Sequence, residues 1–310
     1  KMPKEISWVS ETLIASGFQA YLVGGCVRDI LLGREPKDWD LATDAKPEKI
    51  QGIFDDSVYE NTFGTVGVKT DSEDEKLRII EITTFRKEGA YTDKRHPDSV
   101  SFADKIEDDL GRRDFTVNAM ALDITKSKTD VFDPFHGRDD LKKKLIRAVG
   151  NPEERFQEDA LRLVRAVRFA SELGFEIESK TFEAIISDAD LLEMIAKERI
   201  RDEFVKIILS ERAMSGITML ENLGLLRFII PELREGIACG QNKHHIYSVW
   251  EHNLRALDYA AGKNYLLVVR LASLFHDIGK PRTKRGEGAN STFYNHEMVG
   301  AKMTAQILDR

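Results

Sequence analysis

Three groups of residues have the types and spacing to do chemistry. The first is Asp38-Trp39-Asp40. If it opens a strand, side chains alternate and both carboxylates face one side. Two carboxylates so placed repel unless a cation lies between them. A hard divalent ion such as Mg2+ takes oxygen ligands of this kind. An isolated Asp-x-Asp also occurs in ordinary loops, so its neighbourhood decides its value. A short helix upstream stands Leu22-Val23-Gly24-Gly25-Cys26-Val27-Arg28-Asp29. A strand there runs into two glycines, and a helical pattern of Val27, Ile30 and Leu31 follows. Glycines let a backbone approach a ligand closely, and a helix N-terminus favours anions. Arg28 in the first turn could reach a phosphate, although a tight strand–helix turn also explains two glycines.

The second group is Glu158-Asp159-x-x-Arg162-x-x-Arg165-x-x-Arg168. Residues three apart share a helix face. A plain surface ion pair would explain Asp159 and Arg162 alone. Polar positions that continue through Arg165 and Arg168 at the same spacing are better explained by a ligand. The third group is His252, followed by His276-Asp277. Adjacent His and Asp at a helix end can share one metal ion with a distant His. The alternative is a helical scaffold without metal.

The elements that must position these groups fall into two styles. The first half has short β-branched and apolar runs, Ala20–Val23, Thr65–Lys69, Leu77–Phe85 and Asn118–Ile124, separated by turns and helices. The run Glu5–Ala15 reads as a helix, and Ser171–Gly174 as a helix end. From about Glu153 the spacing becomes helical throughout: Leu161 to Phe169, then Leu191–Leu209, Gly216–Leu226, Val249–Ala261, Tyr265–His276 and His296–Leu308. The fold class is therefore α+β, a mixed-sheet head followed by an all-α body. Gly150 and Pro152 punctuate a boundary near Val149–Pro152. Helical spacing still runs at Arg310, which leads us to expect a further C-terminal part.

Composition narrows the class further. The 310 residues are 42% hydrophobic and 32% charged, as in a soluble globular chain. No apolar run approaches the roughly 20 residues of a membrane span. Lys1–Ser10 has no apolar signal-like core, and the two cysteines, Cys26 and Cys239, lack metal-ligand spacing. A reduced, cytoplasmic protein is expected. The net charge of −7 argues against a general nucleic-acid coat protein. It leaves room for local basic patches: Arg112–Arg113, Lys142–Lys144 with Arg147, Arg162/Arg165/Arg168, and Lys280/Arg282/Lys284/Arg285.

Taken in order, these motifs resemble a known family. Gly24-Gly25-x-Val-Arg28-Asp29 through Gly33-Arg34-x-Pro36-x-Asp38-x-Asp40 is similar to the signature of the class II CCA-adding enzymes and poly(A) polymerases, within the polymerase-β-like nucleotidyltransferases. Phe85-Arg86…Tyr91-x-Asp93-x-Arg95-His96-Pro97 resembles that family's flexible loop. Leu110-x-Arg112-Arg113-Asp114-Phe115-Thr116-x-Asn118 resembles its ribose and triphosphate motif, and Glu158-Asp159-x-x-Arg162 its base-selecting motif. His252 with His276-Asp277 resembles the HD phosphohydrolase superfamily.

The resemblance implies a nucleotidyltransferase head over residues 1–149, a helical neck over 150–230 and an HD-like helical body over 231–310. It implies template-independent addition of C, C and A from CTP and ATP to the tRNA 3′ end. Addition of the terminal A alone is the alternative; hydrolysis by the HD-like body and poly(A) synthesis rank lower. Asp38 and Asp40 would hold two Mg2+ ions, with Glu81 as a possible third carboxylate, although alternation does not settle which face Glu81 uses. Gly24, Gly25 and Arg28 would grip the triphosphate; Arg113, Asp114 and Asn118 would hold phosphate and ribose. Arg86, Tyr91, Asp93 and Arg95 would belong to the flexible loop. Asp159 and Arg162, with Arg165 and Arg168 on the same face, would read the base. Cytosine and adenine present an exocyclic amine where uracil and guanine present a carbonyl. An ionised Asp159 accepts from the amine and rejects the carbonyl, while Arg162 donates to the adjacent ring acceptor.

Overall fold

A computed structural model describes residues 2–59, 64–88, 100–125, 130–242 and 246–310. Tyr91, Asp93 and Arg95 lie outside the described residues. The chain forms two compact units, Lys1–Glu158 and Asp159–Arg310.

In the first unit the order is α1 (Lys4–Ala15), β1 (Tyr21–Val23), α2 (Gly25–Leu31), β2 (Asp40–Thr43), α3 (Pro47–Ile53), β3 (Ser57–Tyr59), β4 (Thr65–Lys69), β5 (Ile79–Thr84), β6 (Arg86–Glu88), β7 (Val100–Phe102), α4 (Ile106–Gly111), β8 (Ala121–Asp123), β9 (Val131–Phe132), α5 (Gly137–Lys143) and α6 (Pro152–Glu158). The four strand-like runs of the sequence contain β1, β4, β5 and β8. Among the described residues the main sheet runs β3-β4-β5-β2-β1-β8-β9, with β6 and β7 forming a separate ribbon. The sheet is mixed: β1 is antiparallel to β2 and β8, and β2 is parallel to β5. Register fixes the faces. Val23 lies opposite Asp40 and Ala121, and Asp40 lies beside Glu81. These four share one face, while Leu22, Leu41, Leu122 and Ile82 share the other. On the first face Val23 and Ala42 pack with Phe85, Ala103, Ile106 and Leu110 in one buried cluster. Helix α4 thus covers part of the carboxylate-bearing face with Ile106 and Leu110. In α1, Ile6, Val9 and Leu13 are fully buried, the stripe that 3.6-residue periodicity requires. Helix α6 belongs to this unit: Phe156 is fully buried, and Arg155 Nη1 donates to the Gly111 carbonyl at 3.1 Å. The division at Glu158 therefore falls after the punctuation at Gly150 and Pro152.

The second unit contains α7 (Leu161–Leu173), α8 (Ser179–Asp188), α9 (Lys197–Leu209), α10 (Ala213–Asn222), α11 (Leu226–Ile229), α12 (Pro231–Arg234), α13 (Val249–Gly262), α14 (Leu267–Phe275), α15 (Lys280–Thr283) and α16 (His296–Asp309). Two helical runs are shorter than their apolar spacing suggests. A 3-10 turn over Ala189–Met194 and an extended Ile195 precede α9. Gly224, at φ +71°, interrupts the run from α10 into α11. At Gly216 a Cβ would stand 2.4 Å from Ile207 Cγ2 and 2.6 Å from Ser171 Oγ. Only glycine lets α10 come this close to α7 and α9. Arg270 is buried without a carboxylate partner among its hydrogen bonds; it donates to the carbonyls of Ile208 at 2.9 Å, Ser210 at 2.8 Å and Tyr265 at 2.9 Å. A cation there satisfies the carbonyls and dipole at the α9 C-terminus. Among the described residues, no helix is long and apolar enough to cross a membrane.

Candidate active site

The turn from β1 into α2 is made by Gly24, at φ +73°. A Cβ at that position would lie 2.9 Å from Arg113 Nη1 and 3.4 Å from Asp40 Oδ2. Glycine is therefore required twice, for the left-handed backbone and for the approach of both charged groups. Three predicted residues, Gly24, Asp40 and Arg113, are thus brought together. Asp38 is exposed just before β2. Glu81, whose face the sequence left open, is the register partner of Asp40 in the next strand and shares its face.

The charges around this turn influence one another. Burial raises the Asp40 carboxyl above its ordinary value; Arg113 pulls it down and the nearby Asp38 pushes it up again. A carboxylate pair in this condition favours a shared cation. Arg113 is itself held by Asp109, Nη2 to Oδ2 at 3.1 Å, and Arg112 Nη2 reaches the other Asp109 oxygen at 2.9 Å. Asp109 has no solvent exposure. Burial alone would raise its carboxyl, yet the two arginines outweigh burial and hold it below the usual carboxylate range. Asp109 escaped the sequence reading, although its i+3 and i+4 spacing to Arg112 and Arg113 was visible.

A second network joins three further predicted residues. Arg28 Nη1 donates to Asn118 Oδ1 at 2.7 Å, and Arg28 Nε meets Asp29 Oδ1 at 2.9 Å. Asn118 Nδ2 donates to Asp114 Oδ1 at 3.2 Å, which also accepts from the Phe115 amide at 2.8 Å. Asp114 and Asn118 are buried, so their first task is to orient Arg28. Cys26 is buried next to the same turn, and burial pushes its thiol up to about 11.

In the second unit the expected single polar face divides. Asp159 accepts from Arg199 on α9, Nη2 to Oδ2 at 2.8 Å and Nη1 to Oδ1 at 3.3 Å, and from the Leu161 amide at 3.0 Å. Arg162 is buried. Arg168 turns to Glu203 on α9, with Nε 3.1 Å from Oε2, and its guanidinium lies 4.0 Å from the Phe169 ring centre. Arg165 Nη1 is 4.0 Å from the same Glu203. Arg165 and Arg168 therefore tie α7 to α9. Arg199 was missed because 40 residues separate it from Asp159 in sequence.

The same unit brings His252, His276 and Asp277 together, with candidate ligand atoms all within 4.8 Å of one another. His252 Nε2 lies 3.0 Å from His276 Nε2 and 3.3 Å from Asp277 Oδ2. The N–N separation is what two adjacent ligands about 2.1 Å from one metal would have in an octahedral arrangement. His276 Nδ1 donates to the Ser273 carbonyl at 2.8 Å, which leaves Nε2 with its lone pair toward the cluster. His296, unassigned from sequence, is bound in the same way: Nδ1 donates to the Phe293 carbonyl at 2.8 Å, and Nε2 lies 3.5 Å from Asp277 Oδ1. Lys280 Nζ caps Asp277 Oδ2 at 2.7 Å and donates to Gln241 Oε1 at 2.7 Å.

Comparison with known proteins agrees with this division of labour. Residues 20–147 match the poly A polymerase head domain. Residues 174–237 match the "probable RNA and SrmB-binding site of polymerase A", and residues 244–310 match the HD domain. The chain is similar to a CCA-adding enzyme of Lactococcus lactis subsp. lactis, 46% identical over 242 residues, covering 76% of this chain and 58% of that one. It is also similar to a CCA-adding enzyme of Lactobacillus helveticus, 49% identical over 200 residues, covering 64% and 48%. It thus spans about half the length of these relatives. Among solved structures, the Bacillus stearothermophilus CCA-adding enzyme in complex with CTP aligns over 99% of this chain and 69% of that one, with 32% identity and a TM-score of 0.68. A tRNA nucleotidyltransferase complexed with a primer tRNA and an incoming ATP analog aligns over 86% and 74%, with 26% identity and a TM-score of 0.66.

Proposed function

The chain belongs to the family of CCA-adding enzymes, and from that membership we propose that it extends the tRNA 3′ end with C, C and A, taken from CTP and ATP, in the cytoplasm. The observation that carries this reading is the pairing of Asp40 with Glu81 on one sheet face, beside Gly24 and Arg113. The donor set is all carboxylate oxygen, which suits Mg2+. Two such ions held by Asp38 and Asp40, with Glu81 as the third carboxylate, would supply activation of the tRNA 3′-hydroxyl and charge neutralisation at the departing pyrophosphate.

The chain's own residues do the rest. Arg113 and Arg28 meet the anionic triphosphate, each pre-aimed by a carboxylate or amide partner. Gly24 and Gly25 admit the ligand against the backbone at the start of α2. Asp159, oriented by the two hydrogen bonds from Arg199, accepts from the exocyclic amine of cytosine or adenine, and Arg162 donates to the neighbouring ring acceptor. A relative that binds CTP and a similar structure with tRNA and an ATP analog support the choice of substrates.

The test is extension of labelled tRNA by the purified chain with Mg2+. Substrates end before CCA, in C or in CC, and each receives CTP, ATP or both. Growth of the bare end to CCA is the expected result. Extension of the CC end alone, by ATP alone, would make the enzyme A-adding.

The second unit supports a further reading of its own, a divalent metal held by His252, His276 and Asp277, with His296 as an added ligand. Two imidazoles locked with Nε2 facing a carboxylate suit a borderline metal such as Mn2+ or Zn2+. Calorimetric titration with Mn2+ should give one site per chain that is lost in His276→Ala; equal binding by that variant would end the assignment.

A further inference from the structure

The first unit contains a cavity of about 840 Å3 whose lining includes Leu22, Leu122, Trp39, Arg34, Lys37 and Lys76. Leu22 and Leu122 are register partners on the sheet face opposite Val23 and Asp40. The cavity therefore lies behind the carboxylate-bearing face and is separate from the site of Asp40 and Arg113. Trp39 joins the two. It lines the cavity, while its neighbours in sequence are Asp38 and Asp40.

We propose that this cavity is a second, non-catalytic nucleotide site, in which a base stacks on Trp39 and a phosphate meets Arg34, Lys37 and Lys76. The chemistry of the lining is mixed in the way a nucleotide needs. Leu22 and Leu122 give an apolar floor, and an indole stacks on any base because every base has a π-face. The three cations are exposed at the rim. Among the described residues none of them forms an ion pair, so each is available for charge-assisted bonds to phosphate. Of the acids in the lining, Asp74 already accepts from the Lys76 amide at 3.0 Å. Asp123 accepts from the Thr125 amide at 2.9 Å and hydroxyl at 2.6 Å. Among the described residues Glu35 makes no such bond, and it can accept from a ring amine. A volume of this size lies within the range of small-molecule sites. Occupancy would fix Trp39 and, through one peptide on either side, the two carboxylates Asp38 and Asp40.

The test uses GMP, whose guanine the base-reading chemistry of Asp159 disfavours in the transfer reaction. With Trp8→Phe and Trp250→Phe, Trp39 is the sole tryptophan of the chain. GMP should quench its fluorescence saturably, and calorimetry of GMP on the unsubstituted chain should give one site. Lys37→Ala with Lys76→Ala should raise the dissociation constant by about tenfold or more, as loss of charge-assisted phosphate contacts demands, while tRNA extension without GMP stays unchanged. Two results would overturn the proposal: unsaturable quenching with no calorimetric site, or a dissociation constant unmoved by the lysine pair. Equal affinity for inorganic phosphate would also remove the nucleotide, since stacking on Trp39 would then contribute nothing. None of these readouts depends on the transfer reaction.

Discussion

Asp109 shows how much of a site can rest on a residue with no solvent exposure. Its carboxylate is buried and neutralises two arginines, one of which, Arg113, lies over Gly24 beside Asp40. Because the folded carboxyl titrates below the usual range, its stabilisation is fully present above the unfolded pKa near 3.9 and is lost as pH falls through the folded value. Asp109→Asn should therefore cost about 3 kcal/mol at pH 7, the low end for breaking a buried pair, since both guanidinium groups retain some solvent. The difference from the parent should shrink on acidification below about pH 4, where both chains carry a neutral side chain. Urea unfolding at a series of pH values measures this, and a constant difference would contradict the ion-pair account. Arg199 plays the analogous part for Asp159. Arg199→Ala should lower discrimination of CTP and ATP over UTP and GTP by roughly ten- to a hundredfold, the worth of about 1–3 kcal/mol in one hydrogen-bonded contact. Arg199→Lys should restore part of it, because charge remains while the bidentate geometry is lost. Unchanged nucleotide preference in the alanine variant would detach Arg199 from base choice.

At the scale of elements, the sequence made the strands that carry chemistry easier to find than their neighbours. Short β-branched and apolar runs between turns marked β1, β4, β5 and β8, whereas the strand expected to open at Asp38 begins at Asp40 and leaves Asp38 in the bend before it. What it could not mark was the pairing. Glu81 became assignable only through the parallel register of β2 and β5, a contact between residues 41 apart in the chain. The Asp159–Arg199 and His296–Asp277 contacts were hidden for the same reason, since helix-face spacing reports neighbours within one helix and not across two. The even row of Asp159, Arg162, Arg165 and Arg168 misled in detail, because long arginine side chains reach partners on α9 that sequence spacing does not contain. The turn between β1 and α2 was legible, and it makes a sharp prediction. Gly24→Ala puts a methyl group 2.9 Å from Arg113 Nη1 at a left-handed φ. Loss of nucleotidyl transfer should exceed loss of stability: kcat falls by a hundredfold or more if Arg113 moves by about 1 Å, while unfolding shifts by about 1–2 kcal/mol. A variant with full activity would mean that the close approach of Arg113 is not required.

The sequence carries a net charge of −7, so the proposed RNA substrate would have to be met by local excess of positive charge rather than by the overall field. Most of the basic clusters visible in the sequence are already paired with carboxylates of the chain. Arg112 and Arg113 serve Asp109, Arg147 serves Asp140, Arg165 and Arg168 serve Glu203, Lys280 serves Asp277, and Arg282 serves Glu235. Lys142, Lys143 and Lys144 at the end of α5 remain exposed. Their one ion pair among the described residues, Lys142 to Asp139 at 3.8 Å, joins two side chains that are 74% and 60% exposed and holds neither firmly. This cluster is therefore a place where phosphates can release counterions. Replacing Lys143 and Lys144 by alanine should weaken tRNA binding and make its dependence on the logarithm of salt concentration shallower by between about one and two units, with kcat unchanged. Arg282→Ala, which removes an internally neutralised cation, should leave that slope where it was. Filter binding of tRNA across a salt series separates the two cases, and an equal slope in the lysine variant would show that α5 does not meet the RNA.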